Sequence, residues 1–579
     1  MGEMEEWIRW RDGSEGGMGD IEGWACNCLY MLLLMAVYWC TETLPLAVTS
    51  LIPLFLAPVL SILKAGDVAK EYLKDLNVMF MGGLMIAVVI EHSQLHRRIS
   101  LGILRKVGTN PRFLMLGFML PTWFLSMWIS NTATTAMMLA IVQAVIDQLS
   151  AQELNVAEPS DDLQMTALEM GRKVSDGIDN DAFESSHATS HENEMSSPEC
   201  STDESESKNQ VTNSSWESTS KALSLCVCYA ATCGGIATLT GTTPNIVLGE
   251  NVNRLSEQYD YNFGFDFVLW LGFGFPISLL MVVITWLWLQ LFFIGFRGKK
   301  QSEKEKLQIK TVIDNAYESL GPFQFKEVLA TGHFLLLAGL WITRNPGGVG
   351  GWGSLFDAGY VSDATAVMFV AILVFMWPSE RPTFSCYSLG TQTKQRKPLV
   401  TWEAIVHKVP WGLLLLLGGG FALAKCIEVS GLSKILGESL NFFAGWPTWG
   451  VVMCLGSITA FITEITSNAA ISTILLPIVA SVAKQLNVHP LYLMLPVTAS
   501  SSFAFMLPVA TPPNALVFAT GVLSIKDMAK AGFALNIIGI CVATLATMTW
   551  GSALFHLNEF TYPQLNITNT TTNSEVLSL

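Results

Sequence analysis

Two short polar blocks sit inside otherwise apolar stretches, and each occurs twice. Ser130-Asn131-Thr132-Ala133 returns as Ser467-Asn468-Ala469-Ala470, and Thr242-Thr243-Pro244-Asn245 returns as Thr511-Pro512-Pro513-Asn514. Hydroxyl and amide groups within hydrocarbon are costly unless they face a partner or a cavity. Interhelical hydrogen bonding would explain one such block; two copies at matching positions point to a site. A hairpin that turns midway exposes unpaired N–H groups where its second helix begins, and that end carries partial positive charge. Carboxylate oxygens bind there, with Ser and Thr hydroxyls and the Asn amide as further donors. Freed carbonyls and the Asn side-chain oxygen suit a hard cation such as Na+. Proline after Gly241-Thr242-Thr243 or Ala510-Thr511 breaks the helix and exposes more carbonyls. Neutral donors also let go: a fixed Arg pair would hold a dianion too tightly to release it.

The elements that position these blocks are repeated with them. The Ser-Asn blocks are 337 positions apart, and the same offset pairs Gly82-Gly83 with Gly419-Gly420, Glu91 with Glu428, Leu139 with Leu476 and Gln148 with Gln485. The Pro-Asn blocks are 269 apart, and the difference of 68 is close to the length of an acidic insertion at 151–220. Repeated halves are the usual build of a secondary transporter, with the site where the halves meet. Gly82-Gly83 and Gly418-Gly419-Gly420 read as close helix packing.

Of the 579 residues 51% are hydrophobic and only 14% charged, and mean hydropathy is +0.42. A soluble chain of this size needs more charge to cover its surface. Residues 27–60 hold one acid, Glu42, and no base. Apolar runs near 266–296, 328–343, 359–377, 409–427, 450–482, 492–522 and 532–555 approach or exceed the length needed to span hydrocarbon. No alternating segments of a membrane barrel are visible, so the expected class is all-α integral membrane.

The expected divisions are an acidic tail at 1–23, the first repeat with its hairpin at 24–150, a disordered loop at 151–220 and the rest of that repeat at 221–300. A basic loop at 301–327, the second repeat with its hairpin at 328–490, its remainder at 491–556 and a tail at 557–579 follow. The net charge of −15 is misleading as a whole. The loop carries −13 and the first tail −5, which leaves the body at about +3 and gives nucleic-acid binding no support. Basic clusters around Arg97–Arg112, Lys299–Lys310 and Lys394–Lys408 mark cytoplasmic connections. Asn566 and Asn569 begin glycosylation sequons, credible on an extracellular tail.

The two Cys-x-Cys pairs, Cys26/Cys28 and Cys226/Cys228, lack partners at zinc spacing, and His187 and His191 belong to a solvated polar run. No H-E-x-x-H or G-x-S-x-G motif suggests an enzyme. Glu42, Asp363, Lys425 and Glu464 are ionisable groups in apolar surroundings. Glu464, three residues before Ser467, either orients the second hairpin or a cation, or belongs to a buried structural pair.

Ser130-Asn-Thr-Ala-Thr-Thr135, Glu464-Ile-Thr-Ser-Asn468, Thr240-Gly-Thr-Thr-Pro-Asn245 and Ala510-Thr-Pro-Pro-Asn514 resemble the solute carrier 13 family, the divalent-anion/sodium symporters. Trp39-Cys-Thr-Glu-Thr-Leu-Pro-Leu-Ala-Val48 and Val361-Ser-Asp-Ala-Thr365 are similar to family segments too, so the resemblance covers roughly 27–555. It implies a homodimer in the lipid bilayer, expected at the plasma membrane, with about 10–11 transmembrane helices in two inverted repeats, two re-entrant hairpins and broken helices. It also implies an elevator-like transport domain moving against a scaffold. The first sodium site would use Ser126, Asn131, Gly241 and Thr242, and the second Thr463, Asn468, Ala510 and Thr511. Substrate carboxylates would meet Ser130, Asn131, Thr132 and Thr243 on one side, and Ser467, Asn468, Ala469 and Pro512 on the other. Family members usually begin with a further apolar helix, which the acidic residues 1–23 cannot supply.

The Ala-Thr-Thr after the first Ser-Asn-Thr resembles carboxylate transporters, whereas sulfate transporters tend to read Ser-Thr-Ala-Ala. Thr243 stands where citrate-preferring relatives resemble Gly-Pro-Asn and dicarboxylate relatives Ala-Pro-Asn. The expected function is therefore sodium-coupled symport of di- or tricarboxylates, C4 dianions such as succinate over citrate. A sodium–sulfate symporter and a sodium-independent anion exchanger are the alternatives.

Overall fold

The structure is a computed structural model that describes residues 18–157 and 206–562, except 109, 296–302, 346–349, 358, 382–396, 433–434, 436–442, 444 and 561. Asn566, Asn569, His187 and His191 lie outside the described residues. Among the described residues there is no β-strand beyond one isolated bridge between Pro378 and Pro398.

Among the described residues eight helices are long and apolar enough to cross a membrane, and Leu46–Val59, Asp363–Met376 and Thr448–Ile462 are shorter apolar ones. The chain is an all-helical, multi-pass membrane protein. Its helices carry apolar residues on both sides, as lipid requires. In α7 (Phe267–Leu289), Trp270, Phe273, Ile277 and Met281 are buried, whereas Leu279, Val283 and Leu287 point outward. Lipid is as apolar as leucine, so what holds such helices together is close packing and interhelical hydrogen bonds. The glycine pairs behave accordingly. A methyl group at Gly419 would stand 2.3 Å from the Ser50 carbonyl oxygen, and one at Gly82 would stand 2.7 Å from Val367.

The first half runs through α1 (Met18–Thr41), α2 (Asp75–His92), a hairpin of α3 (Pro111–Ser126) and α4 (Asn131–Ala157), then α5 (Glu206–Ala237) and α6 (Thr243–Tyr259) to α7. The second runs through α8 (Phe325–Arg344), α9 (Asp363–Met376), α10 (Trp411–Val429), a hairpin of α11 (Thr448–Ile462) and α12 (Asn468–Gln485), then α13 (Pro490–Ser501), α14 (Pro512–Phe518) and α15 (Ile525–Ala546). Sequence chemistry sets the turning points. Asn110 caps α3 by accepting from Arg112 N, with Pro111 at the first helical position. Ser524 and Asp527 form a reciprocal capping box on α15. Pro244 and Pro512 open α6 and α14, where a missing N–H costs nothing.

The halves pack reciprocally. Helix α6 lies on α12 and its counterpart α14 lies on α4, while α5 meets α14 and α13 meets α6. Such an exchange is the contact pattern of a two-fold relationship.

Two expected divisions differ from the structure. Helix α4 runs to Ala157 and α5 starts at Glu206, so both ends of the acidic loop are helical. The segment expected as a basic loop at 301–327 contains a helix, Glu303–Glu318. Ile309 and Ile313, one helical turn apart, bury its inner face, and Asp314 pairs with Arg105 at 2.9 Å. Its lysines obscured that stripe. Arg98, itself buried, closes the following turn by donating to the carbonyls of Leu320, Gly321 and Pro322 and pairing with Glu327 at 3.1 Å.

Candidate functional site

Each hairpin is closed by the same two-part hydrogen bond. At the end of α3, Ser126 Oγ donates to Asn131 Oδ1 at 2.5 Å and lies 2.8 Å from the Ala231 carbonyl of α5. In the second half Thr463 Oγ1 lies 2.8 Å from Asn468 Oδ1 and 2.9 Å from the Ser501 carbonyl of α13. One hydroxyl hydrogen serves only one acceptor at a time, so each site gathers three oxygens around one proton. Ser126 and Thr463 are fully buried. Clustered neutral oxygens of this kind are the ligand set that a hard cation takes.

Glycine completes the first cluster. A methyl on Gly235 would stand 2.8 Å from Asn131 Oδ1 and 3.2 Å from the Gly241 carbonyl oxygen, and one on Gly241 would stand 2.4 Å from the Gly235 carbonyl. Only bare backbone lets α5, the break after it and the tip of the hairpin approach this closely. Gly241, Ser126 and Asn131 therefore come together. Thr242 and Thr511 are the N-caps of α6 and α14, and Thr511 Oγ1 accepts from Asn514 N at 3.4 Å. Ala510, buried like Gly241, holds the matching place in the second half.

Ser130, Asn131, Thr132, Thr242, Thr243, Ser467 and Asn468 are half-buried, Ala469 is buried and Pro512 is exposed. The hairpin tips thus reach an accessible surface while the hydroxyl–asparagine clusters lie beneath. Ser130 Oγ accepts from Ala133 N at 3.2 Å, the third of the amides at the start of α4 that have no intrahelical acceptor. Among the described residues no hydrogen bond joins the Ser130 block to the Ser467 block; the reciprocal packing of α6 on α12 and α14 on α4 connects them.

The halves differ in one respect. Helix α5 runs on to Ala237, but α13 stops at Ser501, five residues short of the matching position. The amides of Phe505, Met506 and Leu507 are thereby released, and all three donate to the Glu464 carboxylate at 2.8–3.1 Å, with the Asn536 amide at 2.7 Å. Met127 holds the equivalent position in the first half, where only its backbone carbonyl is used, by the Thr238 hydroxyl. Among the described residues Glu464 thus has neutral donors and no ion-pair partner, and it orients the break beside the second hairpin. The other flagged charges are structural. Asp363 is held by Arg344 at 2.6 Å, Lys425 meets Glu428 at 3.2 Å, and Glu42 is exposed in a turn after α1.

Residue types alone do not mark three further features beside the clusters: the carbonyls of Ala231 and Ser501, the close approach at Gly235, and the burial of the Asn245 and Asn514 side chains. Carbonyls leave no trace in a sequence, but the two asparagines stood in repeated blocks and were legible as a pair.

The family model described as the sodium:sulfate symporter transmembrane region matches residues 19–557. Mouse solute carrier family 13 member 2 is 44% identical, covering 92% of this chain and 90% of its own length. The rat Na(+)/citrate cotransporter is 42% identical over 92% of each chain, and the human Na(+)/dicarboxylate cotransporter 3 is 40% identical over 92% of this chain and 89% of its own. The YdaH transporter of Alcanivorax borkumensis gives a remoter structural likeness, with a TM-score of 0.45 at 13% identity over 92% of this chain and 98% of that one. Twin hydroxyl–asparagine clusters, a repeat that builds them and whole-chain similarity converge: the chain belongs to the solute carrier 13 family of sodium:sulfate symporter-type transporters, and is not an enzyme.

Proposed function

We propose that this chain is a sodium-coupled symporter of di- and tricarboxylates. The observation that carries the reading is the duplicated cluster, Ser126–Asn131 with the Ala231 carbonyl and Thr463–Asn468 with the Ser501 carbonyl. One sodium ion at each cluster places positive charge directly beneath the half-buried hairpin tips. Gly241 and Thr242 serve the first ion, and Ala510 and Thr511 the second. The anion then meets Ser130, Asn131, Thr132 and Thr243 from one half, and Ser467, Asn468, Ala469 and Pro512 from the other. Sodium offsets charge that the neutral donors cannot, which couples the two fluxes. Two of the relatives are named for citrate and dicarboxylate cotransport, which supports a carboxylate over sulfate.

Alternating access follows an elevator: the unit of α3–α6 and α11–α14 slides as one body because its helices interlock across the halves, against α2, α9 and α10. The protein works as a homodimer in the plasma membrane, with Asn566 and Asn569 glycosylated on an extracellular tail. Uptake of radiolabelled succinate, citrate and sulfate, with sodium exchanged for choline, tests the function. Uptake that persists in choline identifies an anion exchanger; uptake of sulfate alone identifies the sulfate variant.

A further inference from the structure

The asparagines that end the Thr-x-Pro-Asn blocks, Asn245 and Asn514, are completely buried, and the side-chain carbonyl oxygen of each has no hydrogen-bond partner. Buried amide oxygens without a donor are rare, because desolvation is then uncompensated. One would pass as a local imperfection. Two, at positions 269 apart that the repeat makes equivalent, are a feature of the design of both halves.

The nitrogen of each amide is fully used. Asn245 Nδ2 donates to the carbonyls of Gly235 at 3.1 Å and Thr238 at 2.8 Å, and Asn514 Nδ2 donates to those of Ala504 at 2.9 Å and Leu507 at 3.0 Å. These four acceptors are also equivalent, pair by pair. They fix the orientation of each amide, since the flipped form would set its oxygen against two carbonyls. The oxygen is therefore the end held away from the loop. The backbone that Asn245 clasps is the same Gly235 that abuts the Asn131 amide and the Gly241 carbonyl. In the second half the clasp on Ala504 lies three residues after the Ser501 carbonyl that meets Thr463.

We propose that Asn245 and Asn514 are cation-site residues, one per repeat, whose Nδ2 shapes the broken loop while Oδ1 supplies an oxygen ligand to sodium. The inference rests on the sodium-coupled reading above. An anion cannot take this place, because an amide oxygen would repel it. A cation can, and unwound backbone near the middle of a transporter is where such ions are held.

Alanine and aspartate at each position separate the two roles, with sodium activation of succinate uptake as the readout. Alanine removes both ends of the amide; aspartate keeps an oxygen but cannot donate to the loop. Asn245→Ala and Asn514→Ala are each expected to raise the half-saturating sodium concentration about tenfold, the effect of losing one ligand to a charge. Succinate KM at saturating sodium should stay within about twofold. Asn245→Asp and Asn514→Asp should bring half-saturation back toward wild type. If the aspartate variants are as impaired as alanine at every sodium concentration, the residues only clasp the loops and the proposal fails. It fails too if alanine leaves half-saturation unchanged, the result expected if a water molecule meets the oxygen.

For variants that do not reach the surface, Asn245→Ser and Asn514→Ser purified in detergent replace uptake. Sodium should raise their Tm less than it raises that of the wild type, and an undiminished rise overturns the assignment. Wild-type uptake undiminished in choline would overturn the sodium-coupled reading itself, whatever the variants do.

Discussion

Asn77 Nδ2 donates to the Leu414 carbonyl at 3.1 Å, and 414 is the position that the repeat makes equivalent to 77. A residue can touch its own counterpart only near the axis that relates the two copies. The contact therefore marks a point near that axis, where α2 meets the start of α10. Across such an axis, whatever is built on one half is built again on the other. The duplicated clusters at Asn131 and Asn468 follow from this single relationship.

Asn77 is buried and also donates to the Tyr72 carbonyl at 2.8 Å. Asn77→Ala removes the side-chain donor to the Tyr72 carbonyl and the hydrogen bond that ties α2 to Leu414 of α10. The expected loss is about 1–3 kcal/mol of stability, read as a lower Tm of the detergent-purified protein. The sodium half-saturation of the protein that reaches the surface should not move. A normal Tm would show that the junction is held by packing alone.

Asn131→Ala and Asn468→Ala should each abolish sodium-coupled uptake while surface labelling stays near normal. Each removes the acceptor of one buried hydroxyl and a donor at a half-buried tip. Should either variant transport at the wild-type rate, the equivalence of the halves does not extend to function.

Glu464→Gln puts an NH2 group where backbone amides now donate, so at least one of the Phe505, Met506 and Leu507 contacts is lost. A hydrogen bond to a charged group is worth about 1.5–3 kcal/mol. The break between α13 and α14 should loosen, with faster hydrogen exchange at residues 502–511 and reduced uptake, while α5 and α6 exchange as in wild type. Equal acceleration in both halves would mean that Glu464 supports the whole fold rather than the second break.

The repeat was legible because it rests on side chains that cannot be exchanged freely in lipid: Ser-Asn at the tips, Pro-Asn after the breaks. Spacing alone thus paired Asn131 with Asn468, whereas Ser126 and Thr463 entered through the family resemblance. The partners of Glu464 were not legible, since three are backbone amides 41–43 residues on and the fourth is an asparagine 72 residues away. Nor was the early end of α13: Ser501 and its neighbours are unremarkable for a membrane helix, and the amides released beyond it are met by a carboxylate from the turn of the second hairpin. The helix at Glu303–Glu318 was hidden for the opposite reason, a local lysine signal that outweighed Ile309 and Ile313.

Thr243 is the first residue of α6, half-buried, beside the buried Gly241. Its β-branched side chain is stiff at χ1, so its methyl group holds a fixed place at the mouth of the break. Its hydroxyl, on a half-buried residue, can reach a carboxylate at that mouth. The two effects predict different outcomes. If bulk decides, a four-carbon dianion fits and the third carboxylate of citrate crowds the methyl, at a cost on the order of 1–3 kcal/mol. Thr243→Gly then raises citrate uptake relative to succinate by about tenfold or more. Thr243→Ser separates the two: it keeps the hydroxyl and removes the methyl, so it should shift preference toward citrate while holding succinate KM. If Thr243→Gly weakens both substrates equally and Thr243→Ser restores both, the hydroxyl is a ligand and the steric account is wrong. A wild type that already prefers citrate to succinate would refute it without any variant.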